Sequence, residues 1–127
     1  MHADELAIVR SLVPVAWADG TFETTEKEML SALLDAYGAN DAERTEMLAY
    51  ASEKRGLDDI DLQDLSAGDR RLLLQHAVIM TFADGKQAAE EVAILAELAQ
   101  RLRIPEDEAK IVIAGATERA KHNLKLL

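Results

Sequence analysis

The chain of 127 residues contains no cysteine. Disulfides, thiol nucleophiles and thiolate metal sites are therefore excluded together, and the redox compartment stays open. Positive charge is also scarce: Lys and Arg number 14 against 24 Asp and Glu, a formal net charge of −10. Such a surface repels a phosphate backbone unless its cations cluster, and no basic run occurs, so nucleic acid is not an expected partner. Cations and basic proteins are the natural counterparts. No apolar stretch approaches the length needed to span a bilayer, so direct membrane insertion is not expected. The opening "MHADELAIVR" carries acids where a secretory leader carries positive charge, and Arg10 interrupts its apolar stretch. A cytoplasmic location is the expectation.

Catalytic patterns are missing too. The three histidines are His2, His76 and His122. A di-iron carboxylate bundle wants Glu three residues before His, but Leu73 and Arg119 occupy those positions. Glu118 and His122, four apart, read as a surface pair on one helix face, and His76 as a satisfied helix histidine among apolar neighbours. Ser11, Ser31, Ser52 and Ser66 have no nucleophile-elbow surroundings, and no Gly-rich phosphate loop exists. No enzyme is read from these residues.

What is present is helical periodicity. With 49% apolar and 30% charged residues, the chain has the balance of one globular domain over 1–127. Leu6, Val9, Val13 and Trp17 share a face in a first segment, which Pro14 is expected to kink. Met29, Leu30, Leu33, Leu34 and Tyr37 share a face in a second, with Thr25 and Glu28 as a capping box and Gly38 as its stop. Asn40 with Glu43 opens a third helix, for which Gly56 is the expected end. "LDDIDLQDLS", holding Asp58, Asp59, Asp61 and Asp64, supports at most a short helical turn; it reads as a solvated linker, with a docking strip for a basic partner as the other reading. Ser66 with Asp69 caps the next segment, around Leu73, Ala77 and Met80. Ile94, Leu95, Leu98 and Leu102 share a face in another. Pro105 suits the first turn of the last, which carries Ile111, Val112, Ile113 and Ala116.

A shift of 65 residues lays the chain on itself. "ADG" at 18–20 falls on "ADG" at 83–85, Glu26 on Glu91, Leu30 on Leu95 and Leu33 on Leu98 without a gap. Val13 meets Val78, Trp17 meets Phe82, Glu43 meets Glu108 and Ala51 meets Ala116. Between 6–55 and 71–120, 11 of 50 pairs are identical, well beyond chance for unrelated segments. The expectation is an internal duplication, with 56–70 as linker: an all-α fold of about seven helices, two pseudo-symmetric three-helix repeats burying their apolar faces on each other. Trp17 and Phe82, at equivalent places, are expected in the core.

The Asp-Gly turns resemble half of a calcium-binding EF-hand loop, which needs oxygen ligands before Asp-Gly as well as after it. Val15 and Trp17 precede Asp19, and Met80 and Phe82 precede Asp84, so neither half qualifies. What repeats is Asp-Gly with Glu seven residues after the Asp. A helix start alone favours an acid in its first turn, yet "DGKQAAEE" keeps Asp, Gly and Glu while losing the other letters of "DGTFETTE". A two-fold would allow Asp19, Glu26, Asp84 and Glu91 to meet. Four carboxylates together need a compensating cation, and an all-oxygen set suits Ca²⁺, Mg²⁺ or Mn²⁺ better than zinc. The alternative is that the turns are only architectural, within a protein-interaction or scaffold module.

This twofold "ADG…E" pattern on a helical chain of such length resembles the tellurite-resistance TerB family and its wider TerB-like superfamily, over about residues 5–122. The resemblance implies an all-helical bacterial cytoplasmic protein of about seven helices, whose relatives are associated with stress and tellurite-resistance systems, often near membranes or fused to other domains; a protein partner is also expected. It also implies acidic metal-binding positions, here Asp19, Glu26, Asp84 and Glu91. Lys86 and Gln87 depart from that pattern, making the second turn less acidic and less apolar than the first.

Overall fold

The computed structural model describes residues 2–18, 24–82 and 89–126. They form α1 (Ala3–Trp17), α2 (Thr24–Ala36), α3 (Asp41–Ala51), α4 (Ala67–Thr81), α5 (Ala89–Arg101) and α6 (Glu106–Leu126). Two 3₁₀ turns, Leu57–Asp59 and Leu62–Asp64, lie between α3 and α4. Among the described residues there is no strand, so the fold is all-α as its periodicity requires. The expected count of about seven becomes six because the acidic segment makes short turns.

Local chemistry sets most of the boundaries. Ser66 Oγ accepts from Asp69 N at 3.1 Å while Ser66 N donates to the Asp69 carboxylate at 3.0 Å, so two donors at the start of α4 are satisfied reciprocally. Asn40 and Glu43 repeat this at α3, at 2.8 and 2.9 Å. Pro105 stands one residue ahead of α6, its carbonyl accepting from Ala109 N at 2.8 Å. Two expected boundaries move. Helix α2 starts at Thr24, so Thr25 belongs to the first turn rather than flanking it. Helix α3 ends at Ala51, not Gly56, because the Trp17 indole N–H reaches the otherwise orphaned Ala51 carbonyl at 2.9 Å. Gly56 instead donates its N–H to the Asp59 carboxylate at 2.8 Å, opening the first 3₁₀ turn.

The 65-residue offset reappears in the elements. Shifted by 65, the bounds of α2 become those of α5, the start of α3 becomes that of α6, and α1 matches α4 to within one residue. Helix ends repeat as well. The N–H groups of Tyr37, Gly38 and Ala39 bond the carbonyls of Leu33, Asp35 and Leu34, and those of Leu102, Arg103 and Ile104 bond Leu98, Gln100 and Ala99. Among the described residues, those of positive φ, Gly38 at 74° and Arg103 at 57°, are equivalent. One left-handed residue ends each helix, with glycine in the first half and an L side chain in the second.

Helix α1 contacts α2 and α3, α4 contacts α5 and α6, and α1 packs on α4. Val9, Val13, Leu30, Leu34, Met47 and Ala51 form a buried cluster of the first half. Their counterparts Leu74, Val78, Leu95, Ala99 and Ala116 are buried in the larger cluster, with Val112 packed against it. Ile8, Leu12, Val15 and Ala16 lie in that larger cluster too, so α1 feeds apolar side chains to both cores and couples them. Phe82 is 9% exposed, whereas Trp17 is only half-buried because its polar edge serves α3. The inter-repeat segment is more than a solvated tether. Leu65 is buried, and Leu57, Ile60 and Leu62 pack against the core, while its aspartates face outward. Arg70 fastens it by donating to the carbonyls of Leu62, Leu65 and Leu102.

Candidate metal centre

Of the acidic positions singled out in the sequence, Glu26 and Glu91 fall within the described residues; Asp19 and Asp84 lie outside them. Glu26 is the third residue of α2 and Glu91 the third of α5. Both side chains line one small cleft, together with Val15 of α1, Met80 and Thr81 of α4, and Ile94 of α5. The cleft is assembled where the last turns of α1 and α4 meet the first turns of α2 and α5. Glu26 and Glu91 are equivalent under the repeat, as are Val15 and Met80. The first turns of two helices thus present carboxylates to one space, and their positive dipole ends favour that placement. A helix start by itself requires an acid near its own N-terminus. It does not require two such acids, from separate halves, on a common wall.

The donor chemistry suits a hard cation. Carboxylate oxygens are the preferred ligands of Ca²⁺, Mg²⁺ and Mn²⁺, and no imidazole or thiolate is among the lining residues. The Thr81 hydroxyl is buried and donates to the Val78 carbonyl at 2.6 Å. Val15, Met80 and Ile94 make the remaining wall apolar, which lowers the local dielectric and strengthens charge interactions within it. Among the described residues no group of three or more His, Asp or Glu side chains surrounds a possible metal position.

Sequence reasoning missed other polar contacts. The Tyr37 hydroxyl lies 3.0 Å from His76 Nε2, their rings edge-to-face at 6.3 Å, which links the end of α2 to α4. Burial pushes the His76 pKa below its ordinary value, and raises that of Tyr37. The neutral imidazole is thus favoured, and its tautomer sets which of the two groups donates. The His122 side chain, and with it the expected pairing to Glu118, lies outside the described residues. Arg71 grips Glu108 through two hydrogen bonds, one of them at 2.6 Å, and their contact holds the Glu108 carboxyl below its ordinary value. Asp58, from the acidic run, is paired with Arg101. Spacing gave no signal for these pairs, since their members lie 37 to 43 residues apart.

Among the described residues no helix is long and apolar enough to cross a membrane. Comparisons with protein-family models, with curated proteins and with solved structures give no match to this chain.

Proposed function

We propose that the chain is a non-catalytic, TerB-like helical domain of a bacterial stress or tellurite-resistance type response, acting in the cytoplasm. In this reading it holds one divalent cation, Ca²⁺, Mg²⁺ or Mn²⁺, between its two halves. Glu26 and Glu91, with Asp19 and Asp84, supply the oxygens. The observation carrying this reading is the cleft that Glu26 and Glu91 line together. Retention of Asp, Gly and Glu in both turns, while their neighbours diverge, supports it further. An ion shared in this way clips the first turns of α2 and α5 together, so occupancy stabilises the packing of the repeats. That gives the domain a cation-dependent state for a protein partner to read.

Thermal melts of chelator-treated protein, with each cation added singly, test the proposal. At one hundred times the dissociation constant, a site bound only in the folded state adds about 2.7 kcal/mol. Loss of that shift in Asp19→Asn/Asp84→Asn is the expected companion result. A midpoint that no cation moves, or a shift that survives the double substitution, defeats the assignment. A second reading, an interaction module without metal, is favoured by a different feature, the groove between α1 and α3.

A further inference from the structure

That groove has a volume of about 470 Å³. Leu6, Ala7, Met47 and Tyr50 provide its apolar surface, and Asp4, Glu43, Glu46 and Asp64 its acids. It runs into a neighbouring hollow through shared Ala7, Arg10, Tyr50 and Asp64, which adds Asp59 and Asp61. Arg10 lines both, and its guanidinium lies 4.4 Å from the Tyr50 ring centroid. Six carboxylates thus line the two hollows, and Arg55, 3.9 Å from the same ring centroid, adds a second guanidinium against Tyr50. Asp4, Glu46, Asp59, Asp61 and Asp64 take part in no ion pair among the described residues, and all five are exposed.

The duplication shows what is particular to this half. Under the 65-residue offset, Leu6 and Glu43 correspond to Arg71 and Glu108, whose ion pair bridges α4 and α6. Tyr50 corresponds to Gly115, and Glu46 to Ile111. In the second half, then, a charge pair ties the first helix to the third. In the first half, those positions hold Leu6 and Glu43, and the Glu43 carboxylate accepts from the Asn40 N–H at the edge of the groove.

We propose that the α1–α3 groove is a docking site for a basic amphipathic helix of a partner protein. The partner's apolar face would lie on Leu6, Ala7, Met47 and Tyr50, and its Lys or Arg side chains would meet Asp4, Glu46 and the aspartates of the inter-repeat segment. This is the helix-in-groove mode, in which a narrow apolar stripe provides the contact area, and opposite charges around it set orientation and association rate. The proposal rests on the interaction-module reading and not on the cation, so its test is run in excess chelator.

The probe is a fluorescein-labelled leucine–lysine peptide of roughly four helical turns, apolar along one face, followed by anisotropy at about 0.15 M salt. Saturable binding is expected, with affinity reduced about tenfold in Glu46→Lys/Asp64→Lys and changed less than about twofold in Glu28→Lys/Glu118→Lys. The second pair alters net charge equally, at exposed positions away from the groove. Circular dichroism verifies helicity in each variant. The neutral pair Glu46→Gln/Asp64→Asn, with a smaller expected loss, replaces the reversal if that fails to fold. Absence of binding overturns the proposal. So does equal weakening by both reversals, which indicates undirected attraction, or equal binding of a scrambled peptide of the same composition, which indicates no use of the apolar floor. Concentration-dependent dimerisation that the peptide cannot displace would assign the groove to a second copy and also refute it.

Discussion

Replacing Arg103 by glycine is expected to stabilise the protein, against the general rule that substitutions destabilise. Arg103 has φ 57°, the sole positive value for a non-glycine among the described residues, and its repeat equivalent is Gly38 at φ 74°. The left-handed conformation costs an L residue roughly 1–2 kcal/mol. Glycine removes that cost but gains freedom in the unfolded chain, which returns roughly 0.5–1 kcal/mol. The Arg103 side chain is exposed and makes no hydrogen bond or ion pair among the described residues, so its loss subtracts little. A net gain of about 0.5–1 kcal/mol follows. For a domain of this size, that is a rise of roughly 2–4 °C in midpoint. Urea unfolding at unchanged m-value measures it. The reciprocal Gly38→Ala, with open space around its new Cβ, should lose about 1 kcal/mol through backbone strain alone. If Arg103→Gly destabilises, or Gly38→Ala is neutral, the equivalence of the two helix ends is refuted.

Two further outcomes follow from the contacts between elements. Trp17→Phe should cost about 1 kcal/mol or more in urea unfolding, because it leaves the Ala51 carbonyl without its indole donor; an unchanged midpoint would show that α3 is not held this way. His76 has a folded pKa below its ordinary value of 6.5, so the folded state takes up its proton less readily than the unfolded chain. Its contribution is present above about pH 6.5 and lost as pH falls below that toward the folded value. Melts between about pH 7.5 and 5.5 should show this decline, and His76→Gln should flatten it; an unaltered slope would place the titration elsewhere.

Much of the fold was legible because it depends on local rules. Ser66 with Asp69 and Asn40 with Glu43 are capping boxes whose donors and acceptors lie three residues apart, so spacing alone reveals them. Gly38 marks a helix end because left-handed backbone selects for glycine. At Arg103 the same conformation is held by the helix end around it, and the residue type is silent. The end of α3 was misread for a related reason. Gly56 is a plausible stop by composition, but α3 ends five residues earlier, at Ala51, whose carbonyl accepts from the indole of Trp17 in another helix. The offset of 65 identified Glu26 and Glu91 as equivalents. That they line one cleft depends on how α1 packs against α4, which no pairwise comparison of letters contains. The α1–α3 groove was hidden more deeply. Leu6, one of its lining residues, stands where the other half has Arg71, a difference that weighs only once the Arg71–Glu108 pair is seen.

Isothermal titration calorimetry of chelator-treated protein with Ca²⁺, Mg²⁺ and Mn²⁺ tests most directly whether the two halves act as one site. The account predicts a stoichiometry of one ion per chain for at least one of these cations, lost in Glu26→Gln and equally in Glu91→Gln, because each half supplies part of a shared ligand set. Two ions per chain, or one ion retained after Glu91→Gln, would mean that the turns bind separately; no heat with any cation would mean that the paired glutamates only begin two helices.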